Sequence, residues 1–159
     1  MTVPELPAHY HVGIIVPDVR AARVRFTELL GVEWGPVMHM AEVEYRDGEG
    51  NDVLLPTTLS YSTGDPCLEL IEETPGTVWV RNEHSNLHHL GFWTDGFVDA
   101  SASLTASGCP LQLCGRAGTD VPVSFAYHGL DDFGVRVELV DTAWRDAMAF
   151  LFRPDPSAG

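Results

Sequence analysis

Apolar and polar positions alternate from residue 9 to residue 16, the period-two signature of a strand with one buried face. Pro17 ends the run and Asp18 offers a side-chain cap for a helix. The period then changes. Val19, Ala22, Phe26 and Leu29 recur at helical spacing, and Gly31 stands where a left-handed stop belongs. β-Prone stretches follow at about 36–46, 52–62 and 67–72, parted by the turn-forming Asp47-Gly48-Glu49-Gly50-Asn51 and Gly64-Asp65-Pro66. The order β-α-β-β-β therefore covers about residues 9–73.

Residues 73–86 read as a polar connector with a turn at Pro75-Gly76. The same order then returns over about 87–141. A strand spans 87–94, and a helix at about 96–107 turns Phe97, Ala100, Ser101 and Leu104 inward and stops at Gly108. Strands follow at about 110–115, 122–128 and 134–140. Trp144, Ala147, Met148 and Leu151 predict a short terminal helix over 142–152, and Pro154 onward predicts a frayed tail. Neither βαβββ unit buries its sheet face alone. Side by side they predict one α+β domain over residues 1–159, a cupped mixed sheet with helices outside.

The units also repeat in their polar residues. His11-Val12-Gly13 is matched by His89-Leu90-Gly91, and Leu68-Glu69-Leu70 by Val137-Glu138-Leu139. Each unit opens on a histidine followed two residues later by glycine, and closes on a glutamate in an apolar strand. A carboxylate flanked by apolar residues on a buried face is costly unless paired or metal-bound. Strand alternation lets His11, Glu69, His89 and Glu138 converge on the concave side. Two imidazoles with two carboxylates suit one divalent transition metal (Zn, Ni, Co, Mn or Fe) rather than calcium. The non-metal alternative is a glutamate on a solvent-facing strand.

Composition narrows the chemistry. The chain has 159 residues, 45% apolar and 20% charged, with a net charge of −14. Clustered cations that would hold phosphates are missing, which argues against nucleic acid. All nine basic residues are arginines, so Schiff-base chemistry and a lysine base are excluded. No apolar run approaches the roughly 18 residues of a membrane span, and Met1 to Pro7 show no basic-then-apolar leader. Cys67, Cys109 and Cys114 form an odd set without a CxxC pair, which sets a reducing cytoplasm as the expected compartment. A Cys109–Cys114 bridge is the alternative.

The segments HVGIIVPDVRAARVRFTELLG, CLELIEETPG, LHHLGFWTDGFVDASASLTASG and FGVRVELVD resemble the vicinal oxygen chelate superfamily of glyoxalase, bleomycin-resistance and dioxygenase proteins, over about residues 9–141. The ligand order His, Glu, His, Glu is similar to its glyoxalase I and methylmalonyl-CoA epimerase branch. The resemblance implies metal ligation by His11, Glu69, His89 and Glu138. His89 is preferred to His88 because it aligns with His11 when Gly91 is set on Gly13. His88 then points to the other face or supports the ligands from behind. It further implies proton transfer next to a carbonyl, by isomerase, epimerase or lyase chemistry. Glu69 or Glu138 is the base, with Glu138 favoured, and a homodimer follows by analogy.

The expected partner is a small carbonyl or thioester compound. A neutral ketone and a thioester held by a few arginines both remain open. Two other readings stand beside the enzyme: a non-catalytic protein that sequesters a small molecule, and an oxygen-dependent dioxygenase-type member. Trp93 is read as a wall of the cleft or as core. Tyr127 and His128 are read as substrate contacts or, preferentially, as structural. His9, His39 and His84 are read as surface residues, Cys67 as a small buried hydrophobe, and Trp34, Trp79 and Trp144 as packing or dimer contacts.

Overall fold

A computed structural model describes residues 8–157, so the reading of Met1 to Pro7 falls outside the described residues. The first unit runs β1 (Ala8–Val16), α1 (Val19–Leu30), β2 (Met38–Asp47), β3 (Asp52–Tyr61) and β4 (Cys67–Glu72). The second runs β5 (Leu87–Thr94), α2 (Phe97–Ala106), β6 (Leu111–Gly115), β7 (Val123–Leu130) and β8 (Val135–Asp141). Local chemistry sets the ends of α1. The Asp18 carboxylate accepts from the Ala21 N–H at 2.8 Å, and Gly31 takes a left-handed φ of 67°.

The mixed sheet goes beyond a cup and closes, in the order β1-β4-β3-β2-β6-β7-β8-β5 and back to β1. Each unit contributes one half of the ring in the same internal order. The central pairs β1–β4 and β5–β8 are parallel. Two antiparallel seams, β1–β5 and β2–β6, join the halves. Closure gives every strand a neighbour on each side, though β2 meets β6 only through Tyr45, Arg46 and Asp47.

Helix α1 covers one flank through Val19 and Phe26, which pack with Val16, Trp34 and Leu70. Helix α2 covers the equivalent flank through Phe97, Ala100 and Leu104 against Cys114, Ala126 and Leu139. Inside the ring lie Ile15, Tyr45, Ile71, Trp79, Leu113 and Tyr127. All three cysteines are free. Among the described residues no helix is long and apolar enough to cross a membrane.

Two expectations at the C-terminus are corrected. Residues 142–152 form no single helix but three short turns: a 3-10 turn at Thr142–Trp144, α3 at Arg145–Met148 and a 3-10 turn at Ala149–Phe152. The bends bring Leu151 against Tyr61 and Cys67. The Leu151 carbonyl oxygen then lies so close to Gly35 that a Cβ there would sit 1.8 Å from it. The expected frayed tail is tied down over its described residues. The Asp155 N–H donates to the Trp34 carbonyl at 3.0 Å, and the Arg23 guanidinium lies 3.3 Å from the Asp155 carboxylate.

Leu70 is fully buried between α1 and the sheet. Leu70→Ala is expected to lower unfolding stability by about 2–5 kcal/mol, read from urea denaturation monitored by circular dichroism.

Candidate metal centre

The β1–β5 seam brings the two histidines together by an exchange. His11 pairs with Gly91 and Gly13 with His89. Each imidazole thus lies over the glycine of the opposite strand. A Cβ on Gly13 would stand 2.0 Å from His89 Cε1, and one on Gly91 would stand 1.9 Å from His11 Cε1. The two glycines are needed for close approach rather than for backbone freedom. The parallel neighbours complete the rows, with Glu69 beside Gly13 and Glu138 beside Gly91.

All four residues predicted as ligands therefore meet, each no more than 4% exposed, with one donor atom apiece inside a common 4.8 Å. His11 Nε2 lies 2.8 Å from His89 Nε2, 2.8 Å from Glu138 Oε2 and 3.3 Å from Glu69 Oε2. His89 Nε2 lies 3.0 Å from Glu69 Oε2 and 3.3 Å from Glu138 Oε2. Two ligands roughly 2.1 Å from one ion and at right angles stand roughly 3 Å apart. Glu69 Oε2 and Glu138 Oε2 are buried without a well-directed hydrogen bond. With the two Nε2 atoms also in hydrogen-bond reach of each other, all four donors crowd one small volume, and the set fits a divalent transition metal.

The electrostatics agree. Burial alone would lower the basicity of His89, but the Glu138 and Glu69 carboxylates overcome it and push His89 up to about 9. His11 is raised in the same way, against its burial, by Glu138 and Glu69. Burial would raise Glu69 and Glu138, yet the facing imidazoles hold both below the usual carboxylate range. The two carboxylates thus favour positive charge at this point.

His88 does not point to the other face. The β1–β5 register shifts between Gly13 and Ile14, and this bulge turns both adjacent rings inward. His88 Nε2 reaches the Val78 carbonyl at 2.7 Å, and His88 Nδ1 meets His89 Nδ1 at 2.9 Å. Burial and the neighbouring His89 charge push His88 down to about 3, so it is neutral at neutral pH. Its Nε2–H donates to Val78 and its Nδ1 accepts from His89 Nδ1–H, so Nε2 is the His89 atom turned to the cluster; it carries a proton while His89 is charged and would offer its lone pair to an ion that displaced that proton.

Three tyrosines, Tyr10, Tyr61 and Tyr127, stand against this cluster, and sequence reasoning missed the first two. Tyr61 pairs with Glu69 and Tyr127 with Glu138 across their strands. The Tyr127 ring lies 5.0 Å from that of His89, and the Tyr61 ring 5.6 Å from that of His11. Tyr10 stacks on Trp93 at 4.2 Å. Burial, reinforced by the two carboxylates, raises Tyr10, Tyr61 and Tyr127 well above the usual phenol value, so these phenols keep their protons.

Tyr127 thus faces the cluster, against the structural role preferred for it. His128 is the structural one, with Nδ1 donating to the Cys109 carbonyl at 3.0 Å and Nε2 2.9 Å from Ser101 Oγ beneath α2. Trp79 leaves the connector to donate to the Tyr127 hydroxyl at 3.4 Å. Trp93 packs with Tyr10 and Phe152, with the Arg145 guanidinium 5.7 Å over its ring. His9, His39 and His84 are exposed and Cys67 is buried, as expected.

A family model described as glyoxalase/bleomycin resistance protein/dioxygenase superfamily matches residues 10–127. No curated protein matches the chain significantly. Among solved structures, a Mycobacterium tuberculosis methylmalonyl-CoA epimerase is similar at 18% identity and a TM-score of 0.61, covering 92% of this chain and 96% of its own. A Streptomyces coelicolor methylmalonyl-CoA epimerase variant in complex with 2-nitronate-propionyl-CoA shares 18% identity at a TM-score of 0.60, over 87% of this chain and 99% of its own. A methylmalonyl-CoA epimerase in complex with methylmalonyl-CoA and ammonium shares 16% at 0.60, over 87% and 96%. At these identities the likeness concerns the fold.

Two substitutions probe the centre without removing a donor. His88→Ala is expected to weaken metal affinity by about 10–100-fold, read by competition with a chromophoric chelator. Gly91→Ala is expected to displace the His11 ring, lowering metal content and costing about 1–3 kcal/mol of stability from overpacking.

Proposed function

Because the chain belongs to the glyoxalase/bleomycin resistance/dioxygenase superfamily, we propose that it is a metal-dependent enzyme moving a proton at the carbon beside a carbonyl, in an isomerase, epimerase or lyase reaction. One observation carries the reading: two imidazoles and two carboxylates, buried at the floor of a cavity, with donor atoms 2.8–3.3 Å apart across four histidine–glutamate approaches. The epimerase fold of the similar structures, two of them in complex with CoA compounds, supports a carbonyl or thioester as the substrate class.

His11, Glu69, His89 and Glu138 are the residues that would hold the ion. When bound, the ion supplies Lewis-acid stabilisation of a carbonyl oxygen as negative charge grows on it. The chain's own residues do the rest. Glu138 and Glu69 both line the cavity, so either carboxylate reaches a C–H bond of a substrate lying there. Glu138 is the favoured base, its side chain being 6% exposed against 3% for Glu69. It accepts the proton from the carbon; return to a neighbouring carbon isomerises the substrate, and reprotonation of the same carbon on its opposite face, by Glu69, epimerises it. Tyr61 and Tyr127, held protonated, act as hydrogen-bond donors and not as bases. The apolar wall keeps water from competing for the transferred proton.

The test measures metal content and hydrogen–deuterium exchange at carbon in D₂O, with CoA thioesters and uncharged ketones offered side by side. Wild-type protein is expected to hold about one divalent ion per chain and His89→Ala to lose it. Glu138→Gln is expected to slow exchange by about 10²–10⁴-fold. A wild type that takes up no ion would sink the proposal. Tight ligand binding without exchange would move the protein to the sequestering class.

A further inference from the structure

Above Glu69 and Glu138 the barrel opens into a cavity of about 500 Å³, within the range that holds small organic ligands. Its wall is hydrocarbon, aromatic ring and thioether, from Met38, Met40, Trp79, Phe125, Met148 and Phe150 among others. The three methionines there are all those of the chain except Met1. Unbranched thioethers adapt to ligands of different outline. Three of the hydroxyls in the wall are engaged with neighbours. Tyr45 Oη lies 2.6 Å from Thr57 Oγ1, and the Tyr127 hydroxyl accepts from Trp79.

Charge is scarce above the cluster. Among the described residues lining the cavity, Arg116 is the single cation. Its charge is matched by two carboxylates: Nη1 donates to Glu44 Oε1 at 2.6 Å, and Nε lies 2.8 Å from Asp52 Oδ1 without a directed hydrogen bond. The net charge of −14 adds a field that repels anions. A nucleotide-borne thioester brings several phosphate charges, which call for arginines or lysines free to turn toward them. A wall of this kind would strip water from a charged ligand and return few hydrogen bonds.

From this we infer that the substrate is an uncharged, largely hydrocarbon carbonyl compound, aromatic or branched, whose enolisable end reaches Glu69 and Glu138. It is not a CoA thioester of the kind held by the similar epimerases. The inference rests on the reading of the cluster as a metal centre for carbonyl chemistry, and it narrows that reading to one class of ligand.

Two propionyl compounds share a reacting end and differ in what carries it: propionylnaphthalene and propionyl-CoA. Their affinities for the wild-type protein are compared by isothermal titration calorimetry, once with manganese loaded and once after chelator. The ketone is expected to bind at least tenfold more tightly than the thioester in the loaded protein. Phe125→Glu, which sets a charge in the wall, is expected to weaken ketone binding at least tenfold. Met148→Glu serves the same purpose should Phe125→Glu fail to fold. Tighter binding of propionyl-CoA, or binding of neither compound, overturns the inference. The chelator arm separates the two levels. A ketone preference in protein that takes up no metal keeps the class of ligand, as a bound guest and no longer a substrate, and removes the catalytic reading. Metal uptake with a preference for the thioester does the reverse.

Discussion

Everything at the centre depends on two imidazole rings resting on two bare glycines across one antiparallel seam. A side chain at Gly13 or Gly91 would occupy the space of the facing ring, so the histidines reach a common point only because those strands carry nothing there. The parallel strands on either side then deliver Glu69 and Glu138 by register alone. Neither half of the chain holds more than one imidazole and one carboxylate of the set. The electrostatic balance therefore belongs to the joined barrel: two buried acids are tolerable only because the other half brings a base to each.

This dependence explains what could be read in the sequence. The His-x-Gly repeat and the glutamates set in apolar strands are local patterns, and strand alternation carries them to the same face. Likewise Asp18 and Gly31 mark the ends of α1 by chemistry confined to a few residues. The ring's second seam was not legible, because Tyr45, Arg46 and Asp47 meet Gly115, Cys114 and Leu113 across nearly half the chain without any recurring motif. Tyr61 and Tyr127 occupy equivalent places beside Glu69 and Glu138, but the hairpins leading to them differ in length and hide the match. The bulge that turns His88 inward is a register event between two strands. Nothing in Leu87-His88-His89 alone announces it.

The connector shows how a segment read as plain linkage acquires a role from the fold. Val78 fixes one end of a hydrogen-bonded line that runs through His88 to His89. The next residue, Trp79, drops into the barrel against Tyr127. A polar, turn-rich composition spoke only for exposure of the segment as a whole. The two inward residues take their places because the ring interior offers an apolar surface and a phenol oxygen, neither of which the segment itself encodes.

The closing seam between β2 and β6 joins by three residue pairs and sits diametrically opposite the β1–β5 seam in the ring. Few ladder bonds therefore hold the ring at its far rim, as few as join β3 to β4 beside Glu69. The thinly laced seam and the seam that carries the imidazoles thus lie as far apart as one cylinder of eight strands allows.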